Sequence, residues 1–151
     1  MKTLGFSIEE SMVGTHRFSL SSVEMPFRFD ITWGTDDIKA AWELGGVFSA
    51  IGTISVEGLC DRTSCYGALK LGYFSEGRLR YELFFSTPRL GECIYIGEKV
   101  NIKPWNLLVS HTTCFGTIEL AESGQLLSRS VSHFRAKDVL KFAKSFKLLL
   151  K

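Results

Sequence analysis

The feature that most limits the fold is the shortness of the segments between apolar, alternating stretches. From residue 46 onward these stretches are separated only by CDRTS, SEG, TPRLG, KPW and AESGQ, which are rich in turn-forming residues. A parallel crossover needs a dozen residues or more, so such short separators join antiparallel neighbours. The chain is therefore expected to form an up-and-down antiparallel β protein of about eight strands.

The first two stretches show the alternation most clearly. With a period of two, residues 6–18 place Glu10 and His16 on the same face as the apolar Ile8 and Met12. Residues 25–33 alternate in the same way, and one face carries Phe27, Phe29, Ile31 and Trp33. Each stretch is expected to be a strand with one buried face, and the first strand brings two polar groups to that face.

About eight one-sided strands are expected to close into a barrel, because closure removes the exposed edges of a sheet. The prediction is a single lipocalin-like β-barrel domain over residues 1–151, with a two-sheet β-sandwich as the alternative. An eight-stranded barrel is just wide enough to be filled by side chains or to hold one small ligand. Strand glycines suit the bends that closure requires: Gly14, Gly52, Gly72 and Gly116.

Two helices are expected beside the strands. A short one near 36–44 has Thr35 as its candidate N-cap and Gly45 at its end. A C-terminal amphipathic helix near 136–150 has Val139, Phe142 and Phe146 on one side. Its other side carries a stripe of lysines: Lys137, Lys141, Lys144, Lys147 and Lys151.

The distribution of charge along the chain limits the classes of binding partner that we expect. The net charge is +2, but residues 135–151 carry +5, so residues 1–134 sum to −3. The basic tail predicts either a solvated helix face or a weak contact with a membrane surface. Nucleic acid is not expected as a partner, because the rest of the chain is net negative and shows no basic groove with interleaved aromatic residues.

The cysteines and the N-terminus indicate a cytoplasmic protein. Residues 1–7 lack the apolar segment of a signal peptide, and no apolar run is long enough to cross a bilayer. Cys60, Cys65, Cys93 and Cys114 lack the paired spacing of zinc ribbons and are expected to be free thiols. The spacing of the three histidines likewise predicts no metal site.

Several short motifs, taken in order, resemble one known family. They are ESMVG at 10–14, LRYELFF at 79–85, IYIGEK at 94–99, HTT at 111–113 and the basic C-terminal segment. Together they resemble the small domain appended to cholesterol-oxidase-like members of the GMC flavin oxidoreductases. The family pattern falls on Glu10, Met12, Gly14, Tyr81, Gly97 and Lys99, whereas Leu108 and Ser110 depart from it.

This resemblance does not imply a flavin. Dinucleotide binding needs a G-x-G-x-x-G turn between a strand and a helix, and no such hexapeptide occurs in the chain. We therefore expect a stand-alone relative of the accessory domain, without the oxidoreductase and without a cofactor.

Glu10 and His16 are expected to act separately. Six residues apart on one strand, their Cα atoms stand roughly 20 Å from each other, too far for proton transfer. Glu10 is predicted to be an interior polar anchor whose partner is Lys99, Tyr81 or Thr112. His16 is predicted to lie at the barrel rim.

The leading functional hypothesis is a non-enzymatic, lipocalin-like domain that binds an apolar or lipid-like small molecule. Its predicted ligand-binding residues are Glu10, Phe27, Phe29, Trp33, Tyr81, Phe85, Thr112 and Phe115, and no catalytic residue is assigned. One alternative is an interaction module that docks on a separately encoded enzyme. Another is a small isomerase or cyclase that uses the enclosed carboxylate of Glu10.

Overall fold

A computed structural model describes residues 2–71, 77–100, 113–134 and 147–150. Within these residues the chain forms one antiparallel sheet and one short helix, α1 (Ile38–Glu43). The strands are β1 (Leu4–Phe18), β2 (Met25–Thr35), β3 (Val47–Val56), β4 (Cys60–Lys70), β5 (Leu79–Thr87), β6 (Gly91–Lys99), β7 (Thr113–Leu120), β8 (Leu126–Phe134) and β9 (Lys147–Leu150).

The sheet closes on itself through β1. Strands β2 to β8 follow one another in chain order, and β1 pairs with β8 on one side and with β2 on the other. The predicted eight-stranded antiparallel barrel is confirmed. The alternative of a two-sheet sandwich is wrong, because a single ladder runs continuously around the molecule.

Strand β9 is added to the eight barrel strands, and it lies where the sequence predicted the end of a C-terminal helix. The helix expected near 136–150 does not extend over residues 147–150, which pair with Leu4–Ser7 of β1. Strand β8 pairs only with residues 12–18 of β1, so the first residues of β1 keep an unpaired edge. The β9 backbone fills that edge. The remainder of the predicted helix, 136–146, lies outside the described residues.

The short helix is confirmed, but its N-cap lies two residues later than expected. Asp37 is the N-cap, and its carboxylate accepts a hydrogen bond of 3.1 Å from the Ala40 amide. Thr35, the predicted cap, instead accepts a 3.2 Å hydrogen bond from the Asp37 amide. The Ala41 side chain is buried, so α1 packs against the same end of the barrel where β1 begins.

The barrel interior follows the period of two read from the sequence. Inward side chains are almost completely buried, and the largest are Tyr81, Tyr95, Phe27, Phe29, Phe48 and Phe85. Space for the Tyr95 ring comes from Gly116 on the neighbouring strand: a Cβ added there would lie 2.3 Å from the ring. The interior is therefore built by pairing large rings with residues that have no side chain.

The two ends of the barrel differ. At one end, called here the hairpin end, residues 19–24, 57–59, 88–90 and 121–125 connect successive strands. At the other, called the helix end, lie α1 and the start of β1. In the part of the chain that the structure describes, no helix combines the length and apolar character required to cross a membrane.

Candidate functional site

Three polar side chains from three strands meet inside the barrel. Glu10 comes from β1, Tyr81 from β5 and Lys99 from β6, and the alternation of each strand turns the side chain inward. The side chains of Glu10 and Lys99 are only 6% and 4% exposed, and Tyr81 is completely buried. We call these three residues the polar centre.

Both oxygens of the Glu10 carboxylate are occupied. Lys99 Nζ lies 2.9 Å from Oε2, and the Tyr81 hydroxyl donates a hydrogen bond to Oε1. The ammonium also lies 5.4 Å from the centroid of the Tyr81 ring, within the range of a cation–π interaction. Two buried charges are thus paired with each other and supported by a neutral donor, which is the arrangement that makes buried charge tolerable.

The hydroxyl of Tyr81 stays protonated at physiological pH. Burial raises the pKa of Tyr81 well above its ordinary value, and the nearby charge of Glu10 raises it further. A neutral phenol is the state that can donate to a carboxylate. The polar centre therefore consists of a carboxylate that accepts from a phenol and an ammonium.

Aromatic rings surround the polar centre and fill the middle of the barrel. The ring centroids of Phe29 and Tyr81 are 5.3 Å apart, as are those of Phe29 and Tyr95. Phe27 lies 5.1 Å from Tyr95, and Phe85 is only 2% exposed. The polar centre is therefore enclosed by a continuous apolar layer.

A second aromatic cluster lies at the helix end. The Phe6 ring is 5.4 Å from both Trp33 and Phe48, and Trp42 of α1 lies 6.0 Å from Phe48. In the register of β1 and β2, Trp33 pairs with Ile8 and Ile31 pairs with Glu10, so this cluster lies one inward layer beyond the polar centre. The indole Nε1 of Trp33 is buried and has no hydrogen-bond partner among the described residues.

The predicted ligand-binding residues divide into three groups. Five lie together in the interior: Glu10, Phe27, Phe29, Tyr81 and Phe85. Trp33 belongs to the cluster at the helix end. Phe115 does not join them, because Cys114 turns inward on β7 and its neighbour Phe115 faces outward, 54% exposed. Thr112 lies outside the described residues.

Tyr95 and Cys114 form an interior contact that the sequence did not indicate. The Tyr95 hydroxyl and Cys114 Sγ are 3.2 Å apart, and burial raises the pKa of the Cys114 thiol to about 11. Ser130 and Ser132 of β8 lie beside the Tyr95 phenol, but neither hydroxyl reaches full hydrogen-bond geometry with any group in the described ranges. Their inward position could be read only from the alternation of β8.

His16 lies near the end of β1, where it pairs with Met25, the first residue of β2. It is 1% exposed, with Nδ1 2.7 Å from Ser128 Oγ and Nε2 2.8 Å from the carbonyl oxygen of Glu57. The Glu57 carbonyl belongs to the hairpin that covers this end of the barrel, so His16 is buried beneath that hairpin. Burial lowers the pKa of His16, although the contacts with Glu57 act in the opposite direction. Nε2 donates to the Glu57 carbonyl oxygen, and the Ser128 hydroxyl, which donates a 2.9 Å hydrogen bond to the Arg17 carbonyl oxygen, lies within hydrogen-bond distance of Nδ1.

Comparison with protein families, with curated proteins and with solved structures found no match. The similarity of the motifs to the GMC accessory domain therefore stays a prediction.

Within the described ranges, no group of three or more His, Cys, Asp and Glu side chains comes together in a way that could hold a metal ion. The polar centre and the aromatic cluster at the helix end are the features on which a functional proposal can be based.

Proposed function

We propose that the protein is a non-enzymatic barrel that binds an apolar, lipid-like small molecule carrying one polar group. The observation that carries this proposal is the buried ion pair of Glu10 and Lys99 inside a mainly apolar interior. Replacing a buried ion pair by hydrophobic residues is often neutral or stabilising, so stability alone gives little reason to keep one. A role in recognising a polar group gives such a reason.

The helix end is the proposed entrance. The middle of the barrel is occupied by the Phe27, Phe29 and Tyr95 rings, and at the opposite end the hairpin that includes Glu57 lies over the buried His16. At the helix end the walls are aromatic, and the unpartnered Trp33 N–H is a donor that no described group uses. A ligand with a carbonyl or hydroxyl oxygen would satisfy this donor while its apolar body packs on the rings.

The proposal excludes catalysis by Glu10. A general base needs a free lone pair that faces its substrate. Here one carboxylate oxygen accepts from Tyr81 and the other from Lys99, and the side chain is only 6% exposed, so the hydrogen bonds of this group go to buried side chains of the barrel. We therefore prefer binding over the isomerase or cyclase hypothesis.

The relation to the GMC accessory domain is retained as part of the proposal. Glu10, Tyr81 and Lys99 come from three separate motifs that carry the resemblance, and they meet in one hydrogen-bonded group. A cytoplasmic location is also proposed. All four cysteines are free, as is usual for proteins of reducing compartments.

The experiment compares two tryptophan variants by native mass spectrometry with cholesterol and oleate as probes. Trp33→Phe keeps the ring but removes the unpartnered N–H, and we expect it to weaken binding by about tenfold. Trp42→Phe is the matched control: Trp42 belongs to the same cluster but is 51% exposed, so this variant loses similar ring area without removing a buried donor and should weaken binding less than Trp33→Phe. Absence of binding by the parent, or equal binding by both variants, contradicts the proposal.

A second candidate function is supported by an apolar stripe on the outer surface. Ile51, Tyr66, Phe84 and Ile94 are successive cross-strand partners on β3 to β6. Ile51 and Tyr66 are 64% and 57% exposed, and the Tyr66 and Phe84 rings stack at 5.7 Å. Such a stripe suits docking on a separately encoded enzyme.

The docking function is tested by affinity purification with two variants of β4. Tyr66→Ala removes the centre of the stripe, whereas Ser64→Ala changes an exposed residue of the same strand. An enzyme recovered with the parent and with Ser64→Ala, but lost with Tyr66→Ala, supports docking. Recovery that is equal in both variants contradicts it.

A further inference from the structure

We propose that the hairpin end carries a phosphate-binding site between Arg17 of β1 and Arg129 of β8. These two residues are direct cross-strand partners, and both are exposed on the outer surface. Side chains in this relation have Cβ atoms about 5 Å apart, so the two guanidinium groups can reach one ligand together.

The arginine pair is not neutralised by the protein. Like charges directly opposite each other on neighbouring strands are destabilising. Within the described ranges, neither Arg17 nor Arg129 forms an ion pair with a carboxylate. Other arginines of the barrel exterior are paired, for example Arg28 with Asp30 at 2.7 Å. The pair thus lacks the counter-ion that a bound anion would supply.

A cavity of about 420 Å³ lies between the two arginines and the loop that joins β1 to β2. Ser19 and Ser21 also line it. The Ser21 Oγ accepts a 3.1 Å hydrogen bond from the Val23 amide, which leaves its proton for a ligand. The loop is held over the cavity with Leu20 in the left-handed region, at a φ of 68°. Non-glycine residues in this conformation are concentrated at functional sites.

The ligand class follows from this chemistry. Guanidinium groups bind phosphate through paired, charge-assisted hydrogen bonds, and a dianion neutralises two of them. Glu24 also lines the cavity, so these three side chains carry a net charge of +1, and the attraction for a phosphate group comes from the two guanidinium groups. The cavity volume exceeds that of the phosphate group alone, so a phosphate ester fits better than the free ion.

This inference does not depend on the proposed apolar ligand. The arginine pair lies on the outer surface at the hairpin end, whereas Trp33 and α1 mark the opposite end of the barrel. Failure of lipid binding would leave the phosphate site untouched, and the reverse also holds.

The test measures thermal stabilisation by inorganic phosphate against chloride at equal ionic strength and pH 8. A ligand that binds only the native state raises Tm with concentration, and the concentration dependence gives Kd. We expect Arg17→Gln and Arg129→Gln each to weaken phosphate binding by about tenfold. Glu24→Gln should strengthen it, because it removes the one negative charge of the cavity.

Arg89→Gln is the matched control. Arg89 is an exposed arginine in another hairpin of the same end, so this variant has the same net charge as the other two arginine variants. Its phosphate affinity should equal that of the parent. In phosphate-free buffer, Arg17→Gln should melt no lower than the parent, since it removes a like-charge contact.

Two results would overturn the site. One is a loss in Arg89→Gln as large as in Arg17→Gln, which would mean non-specific attraction to net charge. The other is a phosphate response that no variant changes.

Vesicles of phosphatidic acid and of phosphatidylcholine then distinguish the source of the phosphate. If the protein co-sediments with phosphatidic acid vesicles only, and Arg129→Gln abolishes this co-sedimentation, the phosphate belongs to a lipid headgroup. If the protein co-sediments with neither kind of vesicle, the phosphate belongs to a soluble ester.

Discussion

Replacing Lys99 by methionine should be one of the most damaging single changes in the barrel. Methionine keeps most of the side-chain length and volume, so little cavity is created. The Glu10 carboxylate, only 6% exposed, then loses its cation and retains one hydrogen bond from Tyr81. A charge left buried in this way costs about 3–5 kcal/mol of folding free energy.

The control has the same chemistry in a different environment. Lys70 Nζ also lies 2.9 Å from a carboxylate oxygen, that of Glu82, but these side chains are 34% and 21% exposed. Glu82 keeps its contact with Arg80 at 2.8 Å when Lys70 is removed. Lys70→Met should therefore cost about 0–1 kcal/mol. The two variants differ in burial while the ion-pair distance is the same.

Urea denaturation of the three proteins measures the effect. With a slope of about 2 kcal/mol per molar urea, Lys99→Met should lower the midpoint by roughly 2 M, and Lys70→Met by less than about 0.5 M. Glu10→Gln should also be destabilising, because it strands the ammonium. The double variant Glu10→Gln/Lys99→Met should recover most of the loss, since neither charge remains unpaired.

Equal midpoints for Lys99→Met and Lys70→Met would refute the reasoning, because Glu10 is buried and loses its cation, whereas Glu82 is more exposed and keeps its contact with Arg80. Additive losses in the double variant would also contradict it. Additivity would show that Glu10 and Lys99 do not stabilise each other.

Three further measurements follow from the interior. Gly116→Ala should cost about 1–3 kcal/mol in urea denaturation, because the new Cβ would lie 2.3 Å from the Tyr95 ring. Burial lowers the pKa of His16, so the unfolded chain binds its proton more readily. Stability from this group is therefore complete above about pH 6.5 and is lost as pH falls, by at most about 1.4 kcal/mol per pH unit, and His16→Gln should remove that component. Iodoacetamide at pH 8 should modify the half-buried Cys60 before Cys114, whose pKa is raised to about 11 and which should react only on unfolding.

The strands could be predicted because the local sequence of each strand shows its alternation of apolar and polar residues. Residues 6–18 and 25–33 alternate so regularly that both the strand and its inward face follow from a period of two. The same alternation placed Glu10 inside. Its two partners, Lys99 and Tyr81, were among the three expected, because all three lie in the short motifs that were singled out in the sequence.

Other features depend on pairings between distant segments and could not be read locally. The residues KLLL at 147–150 suit a helix as well as a strand, and only the edge left on β1 decides for the strand. His16 is buried because the 57–59 hairpin covers it. The pairing of Arg17 with Arg129 follows from the register of β1 on β8, which no short-range pattern specifies.

The closure of the barrel by β1 also determines the order in which the protein can fold. Strands β2 to β8 can pair with their predecessor as they leave the ribosome, since each neighbour is the next segment of chain. Strand β1 can pair with β2 at once, but its second edge must wait for β8, because contacts such as His16 with Ser128 join residues that are 112 positions apart. Until β8 is synthesised, the meander exposes two open strand edges, that of β1 and that of its newest strand, and partly folded chains aggregate through such edges. Aggregation is consequently most expected before β8 pairs with β1, and barrel closure is expected to limit the folding rate.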